Sequence, residues 1–268
     1  MSKQFSHKIS LGQNFLLNPR VSELCLEAGA PRQEDVILEI GPGQGALTRR
    51  LLESDAGFVH AIEIDRRLSE WLCPLEEEFH GRLKITWEDV MQCSLASLDP
   101  LPNKILANIP YNITSPLIWK ALEELAPLEL TRMILLVQKE AADRLSASPS
   151  TRDRCPLGIT IELMGSIRSL MKVSPGSFNP PPKVWSTLML IEVTSNRHLA
   201  GNVKWRKMLK AAFAQRRKKL FNNLSVLYDR EMLTSSFDEA RAGTDMRAEE
   251  LTAGQWLALH KSLNSDRK

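Results

Sequence analysis

Glu39-Ile40-Gly41-Pro42-Gly43-Gln44-Gly45-Ala46-Leu47 follows an apolar run and leads into a helical pattern. Its glycines let the backbone turn tightly and let a ligand approach where a Cβ would clash. Taken alone, Gly41-x-Gly43-x-x-Ala46 also fits the dinucleotide-binding fingerprint. The acids separate the ligands. Glu63 closes the next apolar run, a spacing suited to ribose hydroxyls. Asp89 lies just past the third run, where a carboxylate can accept a bond from an adenine amino group. Together with Glu39 these acids surround one crevice. Such a cluster repels a pyrophosphate but not a cationic sulfonium nucleoside, so S-adenosylmethionine suits the site better than NAD. A second loop, Asn108-Ile109-Pro110-Tyr111-Asn112-Ile113, offers an amide and backbone carbonyls beside an aromatic ring. As bare sequence it also fits an Asn-x-Pro turn with a packed Tyr.

These loops need a frame, and the chain between Val36 and Val137 supplies one. Apolar runs at Val36–Ile40, Phe58–Ile64, Leu83–Thr86, Lys104–Ala107 and Met133–Val137 are of strand length and rich in β-branched or aliphatic residues. Helical patterns at Ala46–Glu53, Arg66–Phe79 and Ser115–Leu125 separate them. Regular alternation of strand and helix predicts an α/β fold with a mainly parallel sheet covered on both faces. In doubly wound sheets, ligands bind between the loops that follow the first and fourth strands, so Gly41 and Asn108 are expected to face each other. Two further strands are predicted near Ile159–Met164 and Thr187–Val193, flanking Asn179-Pro180-Pro181-Pro182-Lys183. After Asn196 only helices are expected, at Trp205–Leu220, Glu239–Arg241 and Thr252–Leu263. The predicted division is an α/β domain over residues 1–197, with a basic N-terminal arm, and a small all-helical domain over 198–268.

Composition bounds the function from outside. With 268 residues, 43% hydrophobic and 25% charged, the chain has ordinary globular composition. No apolar run approaches the roughly 20 residues of a membrane span. The first eight residues lack the apolar core of a signal peptide, so a soluble, cytoplasmic protein is expected. The four cysteines, Cys25, Cys73, Cys93 and Cys155, form no CxxC pair, and the five histidines are dispersed. No metal and no disulfide framework is expected. The net charge of +3 is small, but its distribution is uneven. Trp205 to Asn223 carries Arg206, Lys207, Lys210, Arg216, Arg217, Lys218 and Lys219 without an acid, and the first twenty residues carry Lys3, Lys8 and Arg20 without one. Such blocks bind phosphate backbones or simply form solvated helix faces; charge alone leaves the two readings balanced.

The motifs together carry a resemblance. Asn108-Ile109-Pro110-Tyr111 resembles the catalytic signature of enzymes that methylate exocyclic amines such as adenine N6. Gly12-Gln13-Asn14-Phe15-Leu16, the glycine loop, Tyr111–Leu117, Gln138–Leu145, Phe178–Val184 and Ala212–Lys219 extend the match in order from Lys8 to Leu263. The chain resembles the KsgA/RsmA family of ribosomal RNA adenine dimethyltransferases. The resemblance implies a class I methyltransferase (Rossmann-like) domain with a small helical C-terminal domain. It also implies S-adenosylmethionine contacts at Asn14, Leu16, Gly41, Glu63, Asp89 and Asn108. The catalytic loop would be Asn108, Ile109, Pro110 and Tyr111, with Tyr111 and Phe178 stacking on the flipped base; RNA would be held by Arg216, Arg217, Lys218 and Lys219. The implied reaction dimethylates N6 of two adjacent adenosines near the 3′ end of 16S rRNA, with the small ribosomal subunit as partner and the enzyme a monomer. Two rivals share the fold: a large-subunit enzyme of the erythromycin-resistance type, and a non-catalytic assembly or transcription factor. The chain departs from the family pattern at Trp185, where Asp is usual, at Cys155-Pro156-Leu157-Gly158 in place of Tyr-Gly-x-Leu, and at Phe221, where Arg is typical.

Overall fold

The apolar runs of the first half become the strands of one sheet. The computed structural model describes residues 13–265; Lys3 and Lys8 of the basic arm and Gly12 of the first motif lie outside them. In chain order the elements are β1 (Phe15–Leu16), α1 (Pro19–Gly29), β2 (Val36–Ile40), α2 (Ala46–Glu53), β3 (Phe58–Ile62), α3 (Ser69–Glu78), β4 (Leu83–Thr86), β5 (Lys104–Asn108), α4 (Thr114–Glu124) and β6 (Arg132–Gln138). There follow α5 (Lys139–Leu145), α6 (Pro156–Met164), β7 (Gly165–Val173), β8 (Phe178–Asn179) and β9 (Ser186–Val193). The seven-stranded sheet runs β4-β3-β2-β5-β6-β9-β7. β2 pairs in parallel with β3 through Leu38↔His60 and with β5 through Leu38↔Ile105. The strand order therefore reverses between β2 and β5, which is where ligands of open α/β sheets bind. β9 pairs antiparallel with β6. Helices on both faces explain why the central strands are almost wholly apolar rather than alternating.

Local chemistry sets the helix starts. Asn18 caps α1 by accepting from the Arg20 N–H, with Pro19 in the first turn, where its missing N–H costs nothing. α2 starts after Gly45 in left-handed conformation and buries Leu47, Thr48, Leu51 and Leu52 on one face. β1 and β8 form a separate two-stranded sheet, pairing Leu16 with Phe178.

Residues 13–142 and 168–192 make one unit; 143–167 and 193–265 make the other. The chain thus leaves the α/β unit once before its final departure near residue 193, and the single boundary at 197 marks only that second crossing. The second unit contains α6 with α7 (Val203–Ala212), α8 (Leu220–Leu224), α9 (Arg230–Glu239) and α10 (Ala253–Asn264). Trp205, Phe237 and Trp256 are its fully buried large side chains. The Trp205 indole N–H donates to Thr160 Oγ1 at 3.0 Å, and its ring meets His260 edge-on.

Several predicted elements need correction. Ile159–Met164 is not a strand but most of α6: Cys155 is the N-cap and Pro156 opens the helix, with Ile159, Thr160, Ile161 and Met164 buried and Glu162 facing solvent. A short, largely apolar run is too brief for its period to separate a core strand from a core helix. Gly158 lies so close to the neighbouring chain that a Cβ there would meet the Leu145 carbonyl oxygen at 2.5 Å. The expected helix Trp205–Leu220 stops at Ala212; Asn223 Nδ2 donates to the Ala212 and Gln215 carbonyls and holds residues 213–219 as a turn. The helix expected at Glu239–Arg241 is α9, which ends at Glu239, with Arg241 left-handed just beyond. Among the described residues no helix is long and apolar enough to cross a membrane.

Candidate active site

A cavity of about 300 Å³ opens among the loops after β2, β3, β4 and β5, against β1. Asn14, Leu16, Gly41, Glu63, Asp89 and Asn108, the residues assigned to the cofactor, all line it. So do Glu39 and the loop residues Ile109, Pro110 and Tyr111. The volume is at the lower end for small-molecule and cofactor sites.

The glycine loop makes the turn at the floor of the cavity. Gly41, Gly43 and Gly45 have φ of 67°, 60° and 80°, a region that side chains rarely enter. At Gly43 space is limiting as well: a Cβ would lie 2.8 Å from the Phe15 ring. At Gly41 a Cβ would lie 3.9 Å from the Asn108 carbonyl oxygen, so the two loops do approach each other as the strand order requires.

The acids behave as a graded set. Glu63, 5% exposed, accepts from the Gly43 N–H through Oε2 at 3.2 Å and from the Asp65 N–H through Oε1 at 2.9 Å. Burial pushes its carboxyl up, and these backbone donors oppose the rise. The loop N–H that a phosphate would need is therefore already given to a carboxylate. Asp65 in turn receives the Arg67 guanidinium at 2.6 Å and Gln13 Nε2 at 2.8 Å, and Arg67 holds it down at about 2. Glu39 is 2% exposed, and its Oε2 has no hydrogen-bond partner. Burial, with the Glu63 charge beside it, pushes Glu39 up to about 8. Asp89 is half-buried, and its Oδ1 accepts from the Met91 N–H, which fixes the carboxylate at the cavity rim.

At the loop after β5, Asn108 Nδ2 donates to the Asn14 carbonyl oxygen at 2.9 Å. A carbonyl only accepts, so the amide orientation is determined, and Oδ1 is the end left for a ligand. The Tyr111 hydroxyl bonds Ser186 Oγ at 2.6 Å, tying the loop to the start of β9.

Phe178 is placed elsewhere. It is 3% exposed, packs in the hydrophobic core with Leu188 and Val173, and does not line the cavity. Tyr111 is the aromatic residue of the expected stacking pair that does. Arg216, Arg217, Lys218 and Lys219 lie in the other unit, on the exposed turn after α7. Arg216 is engaged there: its guanidinium donates to the Arg152 carbonyl and, at 3.1 Å, to the Arg154 carbonyl. Sequence reasoning missed the supporting roles of Ser186, Gln13 and Asp65: Gln13 lies in a quoted motif, but its bond to Asp65 and that of Ser186 to Tyr111 join residues 52 and 75 positions apart. Among the described residues no group of three or more His, Cys, Asp or Glu side chains is placed to hold a metal ion.

The parallel sheet with its switch-point cavity, carboxylates after successive strands and an Asn-Ile-Pro-Tyr loop define a class I methyltransferase. A model of the ribosomal RNA adenine dimethylase family matches residues 4–265, and the chain belongs to that family. It is 37% identical over 264 residues to ribosomal RNA small subunit methyltransferase A of Synechococcus sp. (strain CC9311), covering 94% of each chain. It is likewise 37% identical over 261 residues to the protein of that name from Prochlorococcus marinus (strain MIT 9211), covering 94% of this chain and 92% of the other. Among solved structures, a dimethyladenosine transferase from Plasmodium falciparum superposes with a TM-score of 0.76 at 26% identity, over 91% of this chain and 95% of that one. The 23S rRNA methyltransferase ErmE shares the fold at 24% identity, with a TM-score of 0.71 over 93% and 99% of the two chains.

Proposed function

We infer that this protein transfers methyl groups from S-adenosylmethionine to N6 of two adjacent adenosines near the 3′ end of 16S rRNA, acting as a monomer on the small ribosomal subunit in the cytoplasm. The observation that carries the reading is the fixed Asn108 amide, whose acceptor end is left for a ligand beside the glycine loop. An aromatic amine is a poor nucleophile because its lone pair is delocalised into the ring. Asn108 Oδ1 and the Ile109 or Pro110 carbonyl accept its two N–H bonds, which favours a pyramidal nitrogen with its lone pair directed at the methyl group. Tyr111, held by Ser186, stacks on the base once it leaves its helix.

The cavity suits the cofactor on three grounds. Glu63 is a rigid, backbone-held acceptor for ribose hydroxyls, Asp89 offers an acceptor to the adenine amine, and the Gly43 N–H that a phosphate would use is already given to the Glu63 carboxylate. S-adenosylmethionine supplies a methyl group on a good leaving group. The protein's task is then to bind, orient and exclude water, and no strong general base is required. The exposed Arg217, Lys218 and Lys219 supply phosphate contacts in the other unit.

The test is incubation of undermethylated small subunits with labelled cofactor, followed by mapping of the modified nucleotides. Dimethyladenosine at adjacent positions near the 3′ end is expected. Label confined to large-subunit RNA, or absent, would reject the reading.

A further inference from the structure

Trp185 is 51% exposed, and among the described residues it is the one aromatic side chain in the set of large apolar groups left open to solvent. A single exposed apolar residue is ordinary; what distinguishes Trp185 is how its backbone is held. Its carbonyl accepts from the Lys139 N–H at 2.9 Å, which continues the β6–β9 ladder by one step. The next residue, Ser186, is fully buried and bonded to the Tyr111 hydroxyl at 2.6 Å. The indole therefore stands on a rigid edge that is coupled directly to the catalytic loop.

The sheet register locates it. Asn108 pairs with Leu136, and Leu136 pairs with Leu188. Two strand spacings, roughly 10 Å, separate Asn108 from Leu188, and three extended residues, roughly 10 Å more, lead on to Trp185. β9 is antiparallel to β6, so this second step runs toward the carboxyl edge of the parallel strands, the edge at which the cavity opens. The Trp185 backbone thus lies roughly 14 Å from that of Asn108 on the ligand-binding edge. Lys183, two residues earlier in the chain, is exposed as well and carries positive charge on the same short segment.

We propose that Trp185 is a stacking platform for an unpaired nucleobase one or two nucleotides from the target adenine. The proposal rests on the RNA-methyltransferase reading of the cavity and adds a residue that reads the flanking strand. A flat exposed ring on a rigid edge, with a basic residue two positions away in the chain, suits single-stranded nucleic acid, because every base has a face to stack and a phosphate close by.

The test compares Trp185→Ala and Trp185→Phe with wild type in methyl transfer to undermethylated small subunits and in binding to protein-free small-subunit RNA. Trp185→Ala is expected to raise KM for RNA roughly fivefold to 100-fold. The turnover at saturating RNA, the S-adenosylmethionine Kd and the Tm should stay at wild-type values, and Trp185→Phe should recover most of the loss. An unchanged KM in the alanine variant overturns the proposal, as does a fall in Tm that phenylalanine does not rescue. A defect on whole particles with normal affinity for free RNA overturns it too, and assigns the indole to a protein partner. If wild type itself transfers no methyl group to RNA, the reading beneath the proposal fails with it; if wild type transfers and the alanine variant matches it, only the stacking role fails.

Discussion

The Asn108 side-chain amide donates to the Asn14 backbone carbonyl at 2.9 Å, joining positions 94 residues apart. One bond thereby fixes the rotamer of the residue proposed to offer an acceptor to the substrate and ties it to the segment that leads into β1. Asn108→Ala removes the acceptor and the tie together. We expect turnover to fall by about 100-fold or more, as for other preorganised polar groups, with a smaller loss of cofactor affinity from loosening of β1. Single-turnover methyl transfer alongside thermal unfolding checks this; near-normal turnover in a folded variant would sink the assignment.

Glu63 holds the glycine loop and faces the cavity at once. Glu63→Ala should weaken cofactor binding about 10-fold to 100-fold, since a hydrogen bond to a charged group is worth roughly 1.5–3 kcal/mol. It should also lower the Tm, because the Gly43 and Asp65 N–H groups lose their acceptor. Turnover at saturating cofactor should change less. Calorimetric titration and thermal scans of the same variant measure both effects, and unchanged affinity would contradict the role.

Glu39 gives a pH signature. Its folded pKa of about 8 lies above the ordinary value of 4.5, so between these limits the native state binds a proton that the unfolded chain has released. Its contribution to stability is therefore fully present below about 4.5 and is lost as pH rises toward 8. Glu39→Gln should remove that dependence. Relative to wild type, the variant should gain stability from pH 5 to pH 8, by an amount on the order of a few kcal/mol. Denaturant unfolding at four or five pH values reads it directly, and parallel curves would refute it.

The basic turn after α7 divides into two roles. Arg216 braces the Arg152 and Arg154 carbonyls, so Arg216→Ala should lower the Tm by a few degrees. Arg217, Lys218 and Lys219 are exposed. Changing each to Ala should leave the Tm alone and reduce the slope of log affinity against log salt by somewhat under one unit for each phosphate no longer neutralised. Binding measured across a salt series separates the brace from the phosphate-binding side chains.

The α/β frame and the crevice were legible in the amino-acid sequence. Strand-length apolar runs such as Val36–Ile40, alternating regularly with helical patterns, fit the central strands of a covered sheet, glycines at 41, 43 and 45 permit a backbone that side chains oppose, and acids at successive strand ends are brought together by any doubly wound sheet. These are local or periodic properties, and they survive without knowledge of partners. Whatever depends on a distant neighbour was settled only when the chain folded. Ile159–Met164 became a helix packed against α10, with Trp205 of α7 bonded to Thr160, and nothing in its own period distinguishes that fate from a strand. The helix at Trp205 ended early because Asn223, eleven residues on, takes the Ala212 carbonyl. Phe178 went to the core rather than the cavity, packed with Val173 and Leu188, which are 5 and 10 residues away in the chain. Arg216 carries the same charge as Arg217, and only the carbonyls folded against it make one a brace and leave the other to solvent.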